Sequence, residues 1–193
     1  MKEKEIIVLC EEYAKACHKD KEPGHDYLHV QRVRKMALKL AKTVQCDHFL
    51  VEILALLHDI EDHKFKDNNR VKDFLDAIDI EDYLKEKILF ILPYLSFSKC
   101  RCLPASFPIE GKIIQDADRL DAIGAIGVAR AFSYGGSHQR KMYGDDESTI
   151  KHFEDKLLLI DRYLYLDESK KIAKKRSEFI KDFYQEFLNE IDE

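Results

Sequence analysis

Three groups of residues in this chain have types and spacings suited to chemistry. His25 and His29 stand four apart. His58, Asp59, Asp62 and His63 follow an apolar run, Leu54-Ala55-Leu56-Leu57. Asp116, Asp118 and Asp121 share one short stretch. A His beside an Asp at the end of a buried run costs on the order of several kcal/mol unless each is hydrogen-bonded or bound to a metal. A divalent cation meets both needs, since imidazole nitrogen and carboxylate oxygen are its ordinary donors. On a helix turning roughly 100° per residue, His58 and Asp62 fall about 40° apart, with Asp59 about 60° from Asp62. All three can then face one site, whereas Glu61, about 200° from Asp59, reads as solvent-facing.

His58 and Asp59 supply only half a coordination shell. A His from the helix beginning at Asp26 and an Asp from the helix around Asp118 would supply the rest, leaving room for water and substrate. Each cluster alone also has a plainer reading. A lone His-Asp pair is usually structural, Asp116 and Asp121 suit a helix start or a surface, and His25 suits a cap or packing role. What favours metal chemistry is the conjunction of three clusters, each entering or leaving an apolar helix.

The elements that must position these groups follow from periodicity. Ile6, Leu9, Cys10, Tyr13, Ala14 and Cys17 repeat at helical spacing, predicting a helix over 5–19 that Pro23-Gly24 closes off. A second helix is expected from near Asp26 to Thr43, and a third, N-capped by Asp47, carries Leu50, Ile53, Leu54 and Leu57 to His58. Shorter helices are expected over 69–77 and 80–95, with Pro93 disturbing the second. Residues 96–110 read as irregular. A helix then runs from Glu110 past Arg130 to the Ser133–Ser137 stretch, and Gly124 and Gly127 inside it, at about 1 kcal/mol each, are attributed to close helix–helix approach. After a polar loop, helices return over 149–165 and 169–191. No strand alternation is longer than four residues, so the fold class is all-α. No Gly/Ser-rich or Pro-rich linker divides the chain, which predicts a single domain over 1–193.

Composition narrows the function classes. With 193 residues, 45% hydrophobic and 36% charged, the chain can bury a sizeable core. A net charge of −5 gives no overall pull toward nucleic acid or a membrane surface. The five cysteines are odd in number and irregular in spacing, predicting reduced thiols and a cytoplasmic protein. Cys100-Arg101-Cys102 has no second pair to complete a zinc site. The charged start Met1–Glu5 lacks a signal-peptide apolar segment, and no apolar run approaches the roughly 20 residues that span a bilayer.

Taken together, four motifs resemble a known family: Gly24-His25-Asp26-x-x-His29-x-x-Arg32-Val33, Leu56-Leu57-His58-Asp59-Ile60-x-Asp62-His63-Lys64-Phe65, Gln115-Asp116-Ala117-Asp118-Arg119-Leu120-Asp121, and Tyr134-Gly135-Gly136. They are similar to those of the HD-domain metal-dependent phosphohydrolases. The match is nearer to a small bacterial branch that includes manganese-dependent nucleotide pyrophosphohydrolases. The resemblance implies an HD-type helical bundle, with the HD core over roughly 20–135 and the helices of 149–191 packed on it. It implies His29, His58, Asp59 and Asp118 as ligands of one divalent metal, Mn²⁺ favoured over Fe²⁺, Ni²⁺, Co²⁺, Zn²⁺ or Mg²⁺. It implies Asp62 as the residue that handles water, shorter in reach than the Glu of related nucleotidases, with His63 beside it. His25, Lys64, Asp121, Arg119 and Arg32 follow as supporting or substrate-contacting residues, and Asp116 ranks with His25 as a further acidic or basic candidate. Lys64, Lys66, Arg70 and Lys112 are the basic residues nearest the ligands in sequence, and Lys64 is preferred for phosphate.

The activity implied is hydrolysis of (deoxy)nucleoside triphosphates to monophosphate and pyrophosphate by a metal-activated water. The alternatives are a nucleoside monophosphate phosphatase, a triphosphohydrolase or another phosphoester hydrolase of the superfamily. A third reading is a metal-retaining nucleotide-binding module without catalysis. The expected partner is a small phosphorylated molecule, and a homodimer is left open. A cyclic-dinucleotide substrate is disfavoured, because HD variants for that task carry a Gly-Tyr-Pro element that this chain lacks.

Overall fold

The computed structural model describes residues 2–19, 26–60, 70–96 and 100–192. Within them the regular structure is helical: α1 (Glu3–Cys17), α2 (Tyr27–Ala41), α3 (His48–Leu57), α4 (Arg70–Ala77), α5 (Asp82–Ile91), α6 (Ile109–Asp121), α7 (Gly124–Ser137), α8 (Thr149–Asp155) and α9 (Asp167–Asp192), with 3-10 segments at Leu92–Tyr94 and Leu157–Tyr163. The all-α expectation holds. By backbone proximity the described residues divide into two compact units, one ending at Ala117 and the other beginning at Asp118.

The first unit is built around α3. Leu50, Val51, Ile53, Leu54, Ala55, Leu56 and Leu57 are all buried. A helix apolar on every side must be surrounded, and α1, α2 and α5 pack against this one. Asp47 caps it as expected, accepting the backbone N–H of Leu50 at 3.0 Å, a contact worth about 1 kcal/mol. Asp26 does the same for α2, accepting from the N–H of His29 at 3.1 Å. Arg34 of α2 ties three helices together. It donates to Glu11 of α1 at 2.9 Å and through Nε to Glu52 of α3 at 3.0 Å. Two side-chain contacts set the start and middle of α6: Glu110 accepts the N–H of Asp47 at 3.0 Å, and the Gln115 amide donates to the carbonyls of Tyr94 and Cys100 at 2.7 and 3.1 Å.

In the second unit α9 packs on α7 and on the 3-10 segment Leu157–Tyr163. Phe132, Phe153, Phe183 and Phe187 form one aromatic cluster, with ring centroids 5.7–5.9 Å apart, within the favourable range for such pairs.

Three helical expectations need correction. The helix drawn from Glu110 through Arg130 is two helices, α6 and α7, separated at Ala122-Ile123. Gly124 has φ +78°, a conformation that L side chains rarely adopt. A Cβ on Gly127 would lie 2.3 Å from the Ala122 carbonyl oxygen. Both glycines therefore serve a tight corner between consecutive helices, and at Gly124 the expected close helix approach is present as well, since a Cβ there would lie 3.1 Å from Cγ of Arg176 on α9. The helix drawn over 149–165 breaks at Lys156 (φ −138°, ψ −60°) and continues as a 3-10 segment. Finally, α3 stops at Leu57, with His58 at its C-cap and Asp59 in a turn. The helical-wheel angle used for Asp59 therefore does not apply, and the readings made for Glu61 and Asp62 fall outside the described residues.

Candidate metal centre

His29 lies in the first turn of α2, where the Asp26 cap fixes the backbone. Its side chain is buried, the residue being 1% exposed. His58 closes α3, and its ring Nδ1 lies 2.9 Å from the carbonyl oxygen of Ala55. A carbonyl only accepts, so Nδ1 carries a hydrogen and Nε2 is the ring atom placed to ligate a metal. That atom is 3.2 Å from Nε2 of His29, the two rings meeting edge to face with centroids 5.2 Å apart. Asp118 stands one residue past Ala117 on α6, the helix held by Glu110 and Gln115. One donor atom from each of His29, His58 and Asp118 lies within 4.8 Å of the others. Two imidazoles and a carboxylate converging at this spacing, with one tautomer already set by a backbone carbonyl, fit a divalent transition-type cation.

Asp59 does not join this group of three within the same radius. Its Oδ2 lies 3.7 Å from Nε2 of His18, at the C-cap of α1. Asp116 is buried within α6. Asp121 accepts from Arg130 at 2.8 Å, a part-buried ion pair. Arg119 is buried, donates to the Tyr163 carbonyl, and its guanidinium carbon sits 5.4 Å from the centroid of the Tyr165 ring. Arg32 is part-buried on α2. Lys112 donates to the Ala105 carbonyl at 2.6 Å, and Arg70 lies 3.7 Å from the Cys17 sulfur. His25, Glu61, Asp62, His63, Lys64 and Lys66 lie outside the described residues.

Two groups near the ligands were not singled out from the sequence. One is His18. The other is Lys156, at the break between α8 and the following 3-10 segment. Burial holds its ammonium below the ordinary lysine range, the Asp118 carboxylate opposes that shift, and Arg130 and Arg119 reinforce it. His152, one turn earlier, is driven down to about 4, by burial first and then by Lys156 and Arg140. The second unit thus gathers cationic groups around Asp118. Lys156 gave no sequence signal because it sits in an ordinary amphipathic pattern, far along the chain from the histidine motifs. The Cys100 thiol lies 3.2 Å from the Cys102 carbonyl, a local turn contact.

Comparison with known proteins agrees with this geometry. The family model of the HD domain matches residues 26–123, half of the chain, and includes His29, His58, Asp59 and Asp118. The chain belongs to the HD-domain family of metal-dependent phosphohydrolases. It is 35% identical to the uncharacterised protein YpgQ of Bacillus subtilis over 178 residues, 89% of this chain and 87% of YpgQ. The crystal structure of YpgQ in complex with ADP superposes with a TM-score of 0.83 at 32% identity, covering 98% of this chain and 97% of that one. An HD-superfamily hydrolase from Bacillus thuringiensis gives 0.78 at 32% identity, covering 99% of both chains. Among the described residues no helix of this HD-domain protein is long and apolar enough to cross a membrane.

Proposed function

We propose that this HD-domain protein hydrolyses (deoxy)nucleoside triphosphates to the monophosphate and pyrophosphate. The observation that carries the reading is the convergence of His29, His58 and Asp118 within 4.8 Å. YpgQ, which was crystallised with ADP, supports a nucleotide over other phosphoesters. His29, His58 and Asp118 would hold the cation, with Asp59 beside His58 as a further ligand, and Mn²⁺ is the favoured metal. A cation there would make a water more acidic and draw charge from a phosphoryl oxygen. The chain supplies the rest. The Ala55 carbonyl holds the His58 ring in the ligating tautomer, and the buried His29 keeps bulk water from one side. Asp62, with His63, is proposed to orient the attacking water, and Lys64 to meet phosphate.

Lys156, together with Arg130, is proposed to hold the substrate's phosphate charge. A part-buried ammonium among other cations gains most when an anion neutralises it. His25, Arg32, Arg119 and Asp121 are proposed as supports for the ligands, and for Asp121 and Arg119 the contacts with Arg130 and Tyr163 suit that role. All five cysteines are thiols, which supports a cytoplasmic setting.

Product analysis tests the activity. The purified protein is incubated with dATP and Mn²⁺, and phosphorus-containing products are separated. The expected products are dAMP and pyrophosphate in equal amounts. Orthophosphate or tripolyphosphate alone would overturn the pyrophosphohydrolase assignment.

A further inference from the structure

The Tyr134-Gly135-Gly136 motif has no part in the metal centre, yet the second unit is built closely around it. Gly135 lets α7 approach the start of α8, because a Cβ there would overlap Oγ1 of Thr149. The chain between the two helices is pinned on both sides of Arg140. The Arg140 N–H donates to the Gly135 carbonyl at 2.9 Å, and the N–H groups of Thr149 and Ile150 donate to the carbonyls of Lys141 and Met142, each at 2.9 Å. The Arg140 guanidinium carbon thereby comes to lie 5.4 Å from the centroid of the Tyr134 ring. An arginine stacked on a ring is ordered in advance and still presents its N–H edge to an anion. Arg140 is exposed, and among the described residues no carboxylate pairs with it.

Arg140 also extends a row of cationic groups. Arg130 and Tyr134 stand four apart on α7. His152 and Lys156 stand four apart across the end of α8, where the Lys156 N–H donates to the His152 carbonyl at 3.1 Å. The two helices pack together. The charge of Arg130 acts on Lys156, and that of Arg140 on His152, where Asp155 is the weakest influence. The groups thus fall on two levels, about one helical turn or roughly 5.4 Å apart. Arg130 and Lys156 form the level that adjoins Asp118 and Asp121. Cationic groups on two levels suit an extended polyanion better than a single phosphate. We propose that Arg140, with the His152 ring, seats the terminal phosphate of the substrate, one turn beyond the phosphate charge held by Lys156 and Arg130, and so selects nucleoside triphosphates over diphosphates. The assignment rests on the nucleotide reading above. His152, neutral at pH 7 because its pKa is held down to about 4, adds a ring N–H and no charge.

The test is binding to the full chain in Mn²⁺ by titration calorimetry, with dADP and with α,β-imido-dATP, whose bridging nitrogen resists hydrolysis. Wild type is expected to bind the triphosphate analogue about tenfold more tightly than dADP, the worth of one charge-assisted contact. Arg140→Gln is expected to bind the two alike with its dADP affinity unchanged, and Arg140→Lys to recover part of the preference. Lys141→Gln, one residue on and paired only with Asp145 at the surface, is expected to keep it whole. A triphosphate preference that survives in Arg140→Gln overturns the proposal, as does one lost equally in Lys141→Gln, which would mark a general effect of charge. Equal affinities in wild type remove the terminal-phosphate seat alone, whereas failure of wild type to bind either nucleotide removes the nucleotide reading with it.

Discussion

His58 and His18 face the same local problem. Each ring hands the hydrogen on Nδ1 to a carbonyl on its own helix, Ala55 at 2.9 Å and Ala14 at 2.8 Å. Each thereby commits its Nε2 to whatever lies beyond. For His58 that is His29 and Asp118; for His18 it is Asp59. Lys156 is the residue whose role is most open to a kinetic test. If it meets substrate phosphate, Lys156→Met should raise KM for dATP by about tenfold, since one charge-assisted contact is worth roughly 1.5–3 kcal/mol. Metal content should be unchanged and kcat little affected. An unaltered KM in a variant that melts like wild type would remove Lys156 from the substrate site.

At the scale of elements, the placing of the histidines depends on how α1, α2 and α3 are held. Apolar packing around α3 supplies most of that, and the Arg34 pairs with Glu11 and Glu52 set the alignment. Glu11 is held down at about 2 from an ordinary 4.5, by the hydrogen bond from Lys15 first and then by those from Arg34 and Tyr27, against the opposing effect of burial. A depressed carboxylate stabilises the fold fully above its unfolded pKa and loses that contribution as pH falls through the folded one. Glu11→Gln should therefore destabilise the protein in urea at pH 7, with the gap to wild type narrowing from about pH 4.5 toward 2. A gap of constant size across that window would show that the Glu11 charge contributes nothing. Elements also explain the misread boundaries. Helical periodicity continues through Ala122-Ile123 and Lys156, so sequence pattern sees one helix where a glycine corner or a backbone break makes two.

At the scale of the molecule, metal and fold are linked. A ligand that binds the folded chain alone stabilises it by RT ln(1 + [L]/Kd), about 2.7 kcal/mol at a hundredfold excess over Kd. For a chain of this length that is a shift of roughly 5–10 °C. Chelator-stripped protein should therefore melt lower than protein in excess Mn²⁺ by about that amount, with the far-ultraviolet helical signal retained. Equal melting temperatures by scanning calorimetry would argue that the buried histidines hold no cation.

Much of this protein could be read from residue order alone. Apolar spacing marks most of the helices, since burial of one face imposes a 3.6-residue period on any sequence that folds this way. Asp26 and Asp47 read as caps because a short carboxylate is what an exposed helix start requires. The HD motifs placed His29, His58 and Asp118 in one family before any coordinates did. Tertiary structure decided what spacing cannot carry. Where α3 ends is a matter of packing, and it removed the wheel geometry of Asp59. That the donors of His29, His58 and Asp118 lie within 4.8 Å is a fact of three helices meeting. His18 and Lys156 belong to no motif. Their significance lies in burial and in the carboxylates they face, and both are properties of the folded chain.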